Sequence, residues 1–220
     1  MQTQFNTSIQ NTIQTLKQQG NFLVLSRTQS SLFSTPFDFT INEHTQVNVL
    51  AEGIISFEPI ADSDKDIVLS CGVHGNETAP IEICDDLVKA ILTCKIVVKQ
   101  RTLFLFGNLP AMDIAERFIE ENMNRLFSGE HKNLAAGQQI NAERRRAKQL
   151  EDAVKDFYLG ASPQQVRSRF HYDLHTAIRA SKNDKFAVYP FQNGKPWDKY
   201  QLQILLACGV NTILLSGSAT

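Results

Sequence analysis

A histidine and a glutamate three residues apart come directly after a run of apolar residues. The run is Ile67-Val68-Leu69-Ser70-Cys71, and Gly72-Val73-His74-Gly75-Asn76-Glu77 follows it. Such a run is typical of a strand buried on both faces, and open α/β sheets bind ligands beyond the carboxyl ends of their strands. Imidazole nitrogen and carboxylate oxygen suit zinc. The pattern predicts His74 and Glu77 as metal ligands, although by itself it is more typical of a surface histidine and a glutamate at a helix start.

A second group, Asp173-Leu174-His175-Thr176, offers the third ligand that a catalytic zinc site needs. In a strand, Asp173 and His175 share a face because side chains alternate with a period of two. Asp173 is then placed to accept a hydrogen bond from a ligand imidazole and to fix its orientation. The alternative is that Asp173 pairs with an arginine and His175 is a buried histidine with no metal.

Two arginines are candidates for binding an anionic substrate. Arg125 follows Asn124 in the polar segment Asn122-Met123-Asn124-Arg125, and Arg179 lies four residues after His175. The guanidinium group presents a rigid fork of donors that matches a carboxylate. Each arginine taken alone is also typical of an ordinary surface residue.

The spacing of apolar residues predicts the helices and strands that position these candidate residues. A helix is expected over residues 5–18, because its apolar residues recur about once per turn. Punctuation by proline and glycine favours short strands over four runs. These runs are 22–25, 37–41, 47–50 and 54–57.

From residue 66 onward, strands and helices alternate, which indicates βα units around a partly parallel sheet. Strands are expected at 67–71, 102–106, 172–175, 186–189 and 211–215, and helices from about Pro80, over 110–119, over 139–158 and over 197–208. Within the helix at 139–158, Arg144, Arg145 and Arg146 are expected to lie on a solvated face, because acidic residues follow them. The predicted fold class is α/β, with a mixed, partly parallel sheet flanked by helices.

Composition limits the classes of function. The chain has 220 residues, of which 42% are hydrophobic and 20% charged, and 22 Lys and Arg nearly balance 23 Asp and Glu. This balance disfavours nucleic-acid and anionic-membrane partners, and no apolar run is long enough to span a membrane. The N-terminus lacks the pattern of an export signal, so a cytoplasmic location is expected. Four cysteines without a C-x-x-C pair indicate neither a disulfide framework nor a thiolate zinc site. The oligomeric state is not indicated.

Three longer motifs, taken together, resemble one family. They are Gly72–Glu82, Asn122–Phe127 and Asp173–Arg179, and they are similar to motifs of the succinylglutamate desuccinylases, in the aspartoacylase branch of the zinc carboxypeptidase-like hydrolases. The resemblance implies zinc bound by His74, Glu77 and His175, with Asn124 and Arg125 binding a substrate carboxylate. It also implies hydrolysis of the small molecule N-succinyl-L-glutamate to succinate and L-glutamate, the last step of the arginine succinyltransferase route.

The sequence departs from the family pattern in one respect. The catalytic glutamate of the family lies in a later motif of the type E-L-G, which does not occur in residues 1–220. No catalytic residue is therefore assigned in this chain, and the general-base glutamate is expected beyond Thr220. Residues 1–220 are expected to be one zinc hydrolase domain, truncated at its C-terminus and without the smaller β-rich part of the family. The alternatives are a related N-acyl amino acid deacylase, similar to aspartoacylase, and a non-catalytic zinc-binding or ligand-binding domain.

Overall fold

A six-stranded mixed sheet organises the part of the chain that contains the predicted ligands. The computed structural model describes residues 2–160, 166–177, 182–191 and 194–217. Within them, the strand order across the sheet is β1-β2-β3-β5-β4-β6. The strands are β1 Phe37–Ile41, β2 Thr45–Ala51, β3 Ile54–Pro59, β4 Lys65–Cys71, β5 Arg101–Phe106 and β6 Ser168–Leu174.

The sheet is antiparallel from β1 to β5 and parallel around β4. Strands β1, β2, β3 and β5 pair antiparallel, whereas β4 pairs parallel with both β5 and β6. Cys71, the last residue of β4, lies opposite Phe106 of β5 and Leu174 of β6. The loops that follow these three strands therefore start from one edge of the sheet, where open α/β sheets bind their ligands.

Helices cover both faces of this sheet, which confirms the predicted fold class. Alternate residues of β5 point into two hydrophobic cores on opposite faces of the sheet. Phe104 and Phe106 belong to the first core, on the face covered by the first three helices, and Leu103 and Leu105 belong to the second core, on the face covered by the fifth helix. The helices are α1 Gln2–Gln19, α2 Phe22–Thr28, α3 Thr78–Leu92, α4 Leu109–Asp113 and α5 Ala142–Leu159.

The chain divides by its internal contacts into Met1–Thr176, which holds the six-stranded sheet, and Ala177–Thr220. The described part of the second unit contains β7 Phe186–Tyr189, α6 Lys199–Ala207 and β8 Thr212–Leu215. Strands β7 and β8 are parallel to each other. Helix α6 ends before Gly209, which has a φ of 75° and so adopts the left-handed conformation that favours glycine after a helix.

The strand predicted over residues 22–25 is wrong, because these residues begin α2. Phe22, Leu23, Leu25 and Ser26 are buried, whereas Val24 is 53% exposed. This pattern follows the helical period rather than the alternation of a strand. A run of four apolar residues is too short to distinguish the two structures, and the decision came from packing against the first core.

The helix predicted over 110–119 ends much earlier, at Asp113. Ala115 has a φ of 54°, which a right-handed helix cannot contain. Residues 114–122 then run without helix or strand to a short 3-10 turn, Met123–Arg125.

The expectation that Arg144, Arg145 and Arg146 share a solvated face is wrong for two of the three. Successive helical residues point about 100° apart, so three in a row cannot share one face. Arg145 is exposed, but Arg144 and Arg146 are directed inward. Arg146 donates to the carbonyl oxygens of Phe106 and Gly107, and burial lowers its pKa to about 10. These two arginines join α5 to the loops at the sheet edge.

Among the helices that the structure describes, none has both the length and the apolar character needed to cross a bilayer.

Candidate metal centre

His74 lies in a loop that the surrounding backbone holds tightly. Gly72 has a φ of 65°, and the backbone carbonyls of Cys71 and Gly72 accept hydrogen bonds from the N–H groups of Gly107 and Asn108, at 2.8 Å each. A Cβ on Gly75 would stand 2.1 Å from the carbonyl carbon of Ala111. The loop therefore packs directly on α4, an approach that only glycine permits.

The three predicted ligands come together at the sheet edge. Glu77, at the start of α3, and His74 are both buried. Glu77 Oε1 lies 2.8 Å from His74 Nδ1, and Glu77 Oε2 lies 2.8 Å from His175 Nδ1. One ligand atom from each of the three residues falls within 4.8 Å of the others. They meet because β4 and β6 are parallel neighbours, so residues just beyond their ends share an edge.

The outer nitrogen of each imidazole also faces an acceptor. His175 Nε2 lies 2.8 Å from Asp173 Oδ2, and His74 Nε2 lies 3.0 Å from Asn122 Oδ1. A neutral imidazole has a single N–H and cannot donate from both nitrogens. Two arrangements satisfy these contacts: a proton on both nitrogens of a ring, or a cation held by the two Nδ1 atoms and Glu77, with which each ring donates only through Nε2. The donor set thus fits a divalent metal such as zinc.

Hydrogen bonding shifts the pKa values around His175. The hydrogen bond with Asp173 raises the pKa of His175, although burial acts in the opposite direction. Burial by itself would raise the pKa of Asp173, but hydrogen bonds from His175 and Ser70 lower it overall. Asp173 is therefore an ionised acceptor that favours a proton on the outer nitrogen of His175.

The hydrogen bonds continue along the sheet beyond Asp173. The hydroxyl group of Ser70 donates to Asp173 Oδ1 at 2.7 Å, and its oxygen lies 2.9 Å from His171 Nε2. Ser70 pairs with Asp173 across the parallel strands β4 and β6. Burial lowers the pKa of His171, which favours its neutral form. Ser70 and His171, which the sequence motifs did not single out, thus support the acceptor behind His175.

With this geometry defined, the chain was compared with known proteins. Residues 63–220 match the model of the succinylglutamate desuccinylase/aspartoacylase catalytic domain. The chain belongs to this family.

Individual members of the desuccinylase/aspartoacylase family give the extent of the match. The chain is 59% identical over 205 residues to a succinylglutamate desuccinylase of Pseudoalteromonas atlantica, covering 93% of this chain and 58% of the relative. It is 50% identical over 208 residues to one of Shewanella putrefaciens, covering 94% and 59%. The chain thus spans 58% to 59% of the length of these curated relatives.

Solved structures of the same family are similar in fold. The succinylglutamate desuccinylase of Chromobacterium violaceum superposes with a TM-score of 0.79 at 34% identity, covering 91% of this chain and 59% of that one. The enzyme of Vibrio parahaemolyticus gives a TM-score of 0.77 at 31% identity, covering 90% of this chain and 64% of that one.

The segment 114–122 brings two further polar groups next to His74 and Glu77. Arg117 Nη1 lies 3.3 Å from Glu77 Oε1, and Asn122 faces His74 as described above. Asn122 belongs to one of the sequence motifs but had no predicted role, and Arg117 was not predicted. A usable signal was present: both residues lie in the segment after β5, whose end shares the sheet edge with the end of β4.

The substrate residues predicted from the family motifs do not contact the predicted metal ligands in the way that Arg117 and Asn122 do. Asn124 is half-buried, and its backbone N–H donates to Asn122 Oδ1 at 3.2 Å. Arg125 is exposed at the end of the 3-10 turn. In the described part of the chain, no hydrogen bond joins Arg125 to His74, Glu77 or His175. Arg179 lies outside the described residues.

Proposed function

We propose that the chain carries the metal centre of a zinc-dependent hydrolase that cleaves N-succinyl-L-glutamate to succinate and L-glutamate. One observation carries this proposal: two imidazole Nδ1 atoms face the two oxygens of one buried carboxylate, while each ring already has an acceptor at its outer nitrogen. The names of the relatives supply the substrate class.

In this proposal His74, Glu77 and His175 hold zinc. Three protein ligands of the His/Glu/His type leave a coordination position open, as in catalytic zinc sites. Zinc bound there would polarise the substrate carbonyl and acidify water. Asp173 and Asn122 accept hydrogen bonds from the outer nitrogens of the histidines and so keep both Nδ1 atoms available as ligands.

The substrate carries three carboxylates, so the site needs cations. We assign Asn124, Arg125 and Arg179 to a substrate carboxylate, as the family motifs imply. Arg117 is a further cation beside Glu77, and its guanidinium group is partly exposed. It is placed to hold an anionic oxygen next to the ligand carboxylate.

The general base is assigned outside these 220 residues. No E-L-G motif occurs in the sequence, and the chain spans 58% of its Pseudoalteromonas relative. A glutamate supplied by the rest of the protein would accept the proton of the attacking water and transfer it to the leaving amine. The proposed setting is the cytoplasm, at the end of the arginine succinyltransferase route.

The metal assignment is tested on the chain itself. We expect one zinc per chain after loading and dialysis, and a large loss in His74→Ala and in His175→Ala. The matched control is His44→Ala, since His44 is exposed in the turn between β1 and β2. Stoichiometric zinc in both ligand variants, measured by elemental analysis, would exclude this metal centre.

The substrate assignment is tested in a chimera. In the chimera, residues 1–220 of this chain replace the matching part of the Pseudoalteromonas atlantica protein. Hydrolysis of N-succinyl-L-glutamate and of N-acetyl-L-aspartate is then assayed in parallel. Release of succinate at a rate well above that of acetate supports the proposal. A preference for acetyl-aspartate would indicate the aspartoacylase activity that shares the family model.

A further inference from the structure

The segment 114–122 has no helix or strand to fix it, yet it supplies two contacts to the metal centre. Arg117 reaches Glu77, and Asn122 reaches His74. A segment without regular structure needs other restraints if such contacts are to persist. Backbone hydrogen bonds hold the first part of the segment, from Glu116 N to the carbonyl oxygen of Ala111 and from Gly75 N to that of Arg117, and further restraints lie at the start of α5.

Glu143, in the first turn of α5, is 2% exposed and holds the middle of this segment. Its Oε1 accepts a hydrogen bond from Ile119 N at 2.7 Å and another from Glu120 N at 3.2 Å. Both donors are backbone groups, so the carboxylate fixes the path of the chain rather than one side chain. Arg117 lies two residues before this contact and Asn122 lies two residues after it.

The same oxygen also reaches the loop that carries His74. Asn108 Nδ2 lies 3.3 Å from Glu143 Oε1, and Asn108 N donates to the carbonyl oxygen of Gly72 at 2.8 Å. One carboxylate therefore connects the His74 loop to the segment that carries Arg117 and Asn122.

A neighbouring contact reinforces this anchor. Arg144 binds both carboxylate oxygens of Glu121, at 2.6 and 2.7 Å. Residues 119–121 are thus held by two consecutive residues of α5. Capping of the helix does not explain Glu143, because the Asn141 side chain already accepts a hydrogen bond from Arg144 N.

A purely structural explanation of Glu143 is weak. Burying a carboxylate is costly, and in the described residues Glu143 Oε2 is buried without a hydrogen-bond partner. An apolar residue would fill the space at lower cost, but it could not accept hydrogen bonds from the backbone of 119–120. The arrangement makes sense if the position of this segment matters.

We propose that Glu143 is a positioning residue of the metal centre, which acts by holding Asn122 against His74 and Arg117 beside Glu77. The proposal rests on the proposed zinc site. Glu143 itself touches none of the three ligands in the hydrogen bonds of the described residues, so its effect on the metal is indirect, and we assign that effect to segment 114–122 rather than to Asn108.

The test uses zinc alone as the probe and a double-substitution cycle. Asn122→Ala removes the acceptor behind His74 and should weaken zinc binding by about tenfold or more. Glu143→Ala should weaken it to a similar extent, and adding it to Asn122→Ala should produce no further loss beyond about twofold. Zinc affinities are measured by competition with a chelating dye, with circular dichroism of the metal-free proteins as a check of folding.

Two further variants separate positioning from general damage. Glu143→Gln keeps a carbonyl oxygen that can accept from Ile119 N, so it should recover most of the affinity. Lys148→Ala alters an exposed residue of the same helix and should match the unsubstituted chain. If Glu143→Ala binds zinc normally, or if its loss adds in full to that of Asn122→Ala, the positioning role is wrong. If His74→Ala binds zinc normally, the metal site itself is wrong, and the two failures are thereby distinguished.

Discussion

At the scale of single residues, the proposed metal centre depends on acceptors that lie behind the proposed ligands. Asp173 accepts from two donors, His175 through one oxygen and Ser70 through the other. A carboxylate can do this because it is an acceptor at both oxygens, whereas an amide has only one. The residue two positions before a proposed ligand therefore has a defined chemical task.

Replacing Asp173 by asparagine tests this task. Asp173→Asn keeps the shape but places an NH2 group opposite one of the two donors, so zinc affinity should fall by about 10- to 100-fold. Asp152→Asn, at an exposed position of α5, is the control and should leave the affinity unchanged. Competition with a chelating dye measures both variants. Equal affinities for Asp173→Asn and the unsubstituted chain would show that Asp173 does not orient His175.

Arg125 allows a second test at this scale, in the chimera described above. Arg125→Lys keeps the charge but loses the planar fork, so kcat/KM for N-succinyl-L-glutamate should fall by about tenfold or more, or at least ~1.4 kcal/mol of transition-state stabilisation. Lys148→Arg is the control. A kinetically silent Arg125→Lys would move the carboxylate-binding role to Arg179 or to Arg117.

At the scale of elements, α5 organises a loop that has no regular structure of its own. Its inward-facing residues Glu143, Arg144 and Arg146 bind groups of segment 114–122, of the turn after β5 and of the turn between β2 and β3. The helix is therefore more than a cover for the second core. Its first two turns set the position of the residues that face the metal ligands.

The Arg144–Glu121 pair gives this arrangement a defined dependence on pH. Hydrogen bonds from Arg144 lower the pKa of Glu121 below its usual 4.5. Since the folded-state pKa is lowered, the stabilisation is fully present above pH 4.5 and is lost as pH falls through the lowered value. Glu121→Gln should therefore reduce the free energy of unfolding by about 1 kcal/mol at neutral pH and by less in acid.

Denaturant unfolding at a series of pH values measures this difference. Glu43→Gln is a useful comparison, because Glu43 is an exposed acid in the turn between β1 and β2. A gap between Glu121→Gln and the unsubstituted chain that widens as pH falls would contradict the assignment.

At the scale of the whole molecule, the proposed ligands and the proposed general base belong to different parts of the protein. His74, Glu77 and His175 all lie within Met1–Thr176, the first of the two units. The 220-residue chain is therefore expected to bind the metal without efficient turnover of the substrate.

This separation predicts that the chain binds zinc but hydrolyses N-succinyl-L-glutamate at a trace level. General acid–base assistance is typically worth about 10² to 10⁴-fold, and its proposed source is outside these residues. The chimera with the Pseudoalteromonas atlantica protein should be active. The two proteins are assayed at matched zinc occupancy. Equal rates would place the base among residues 1–220 and would show that the family assignment of that residue does not apply here.

The sequence by itself determined the family, the mixed α/β fold class and the residues of the proposed metal centre. It could do so because these features are local. Strand, loop and helix patterns are encoded in consecutive residues, and His74, Glu77 and His175 each lie within three residues of a strand end or at the start of a helix.

Only the tertiary structure decided what lies between these motifs. Residues 22–25 form a helix because packing against the first core overrides a four-residue apolar pattern. Arg117 reaches Glu77 across 40 residues of sequence, and Glu143 reaches Ile119 across 24. Such contacts depend on how loops are folded back against α5, and no spacing rule within one segment encodes them.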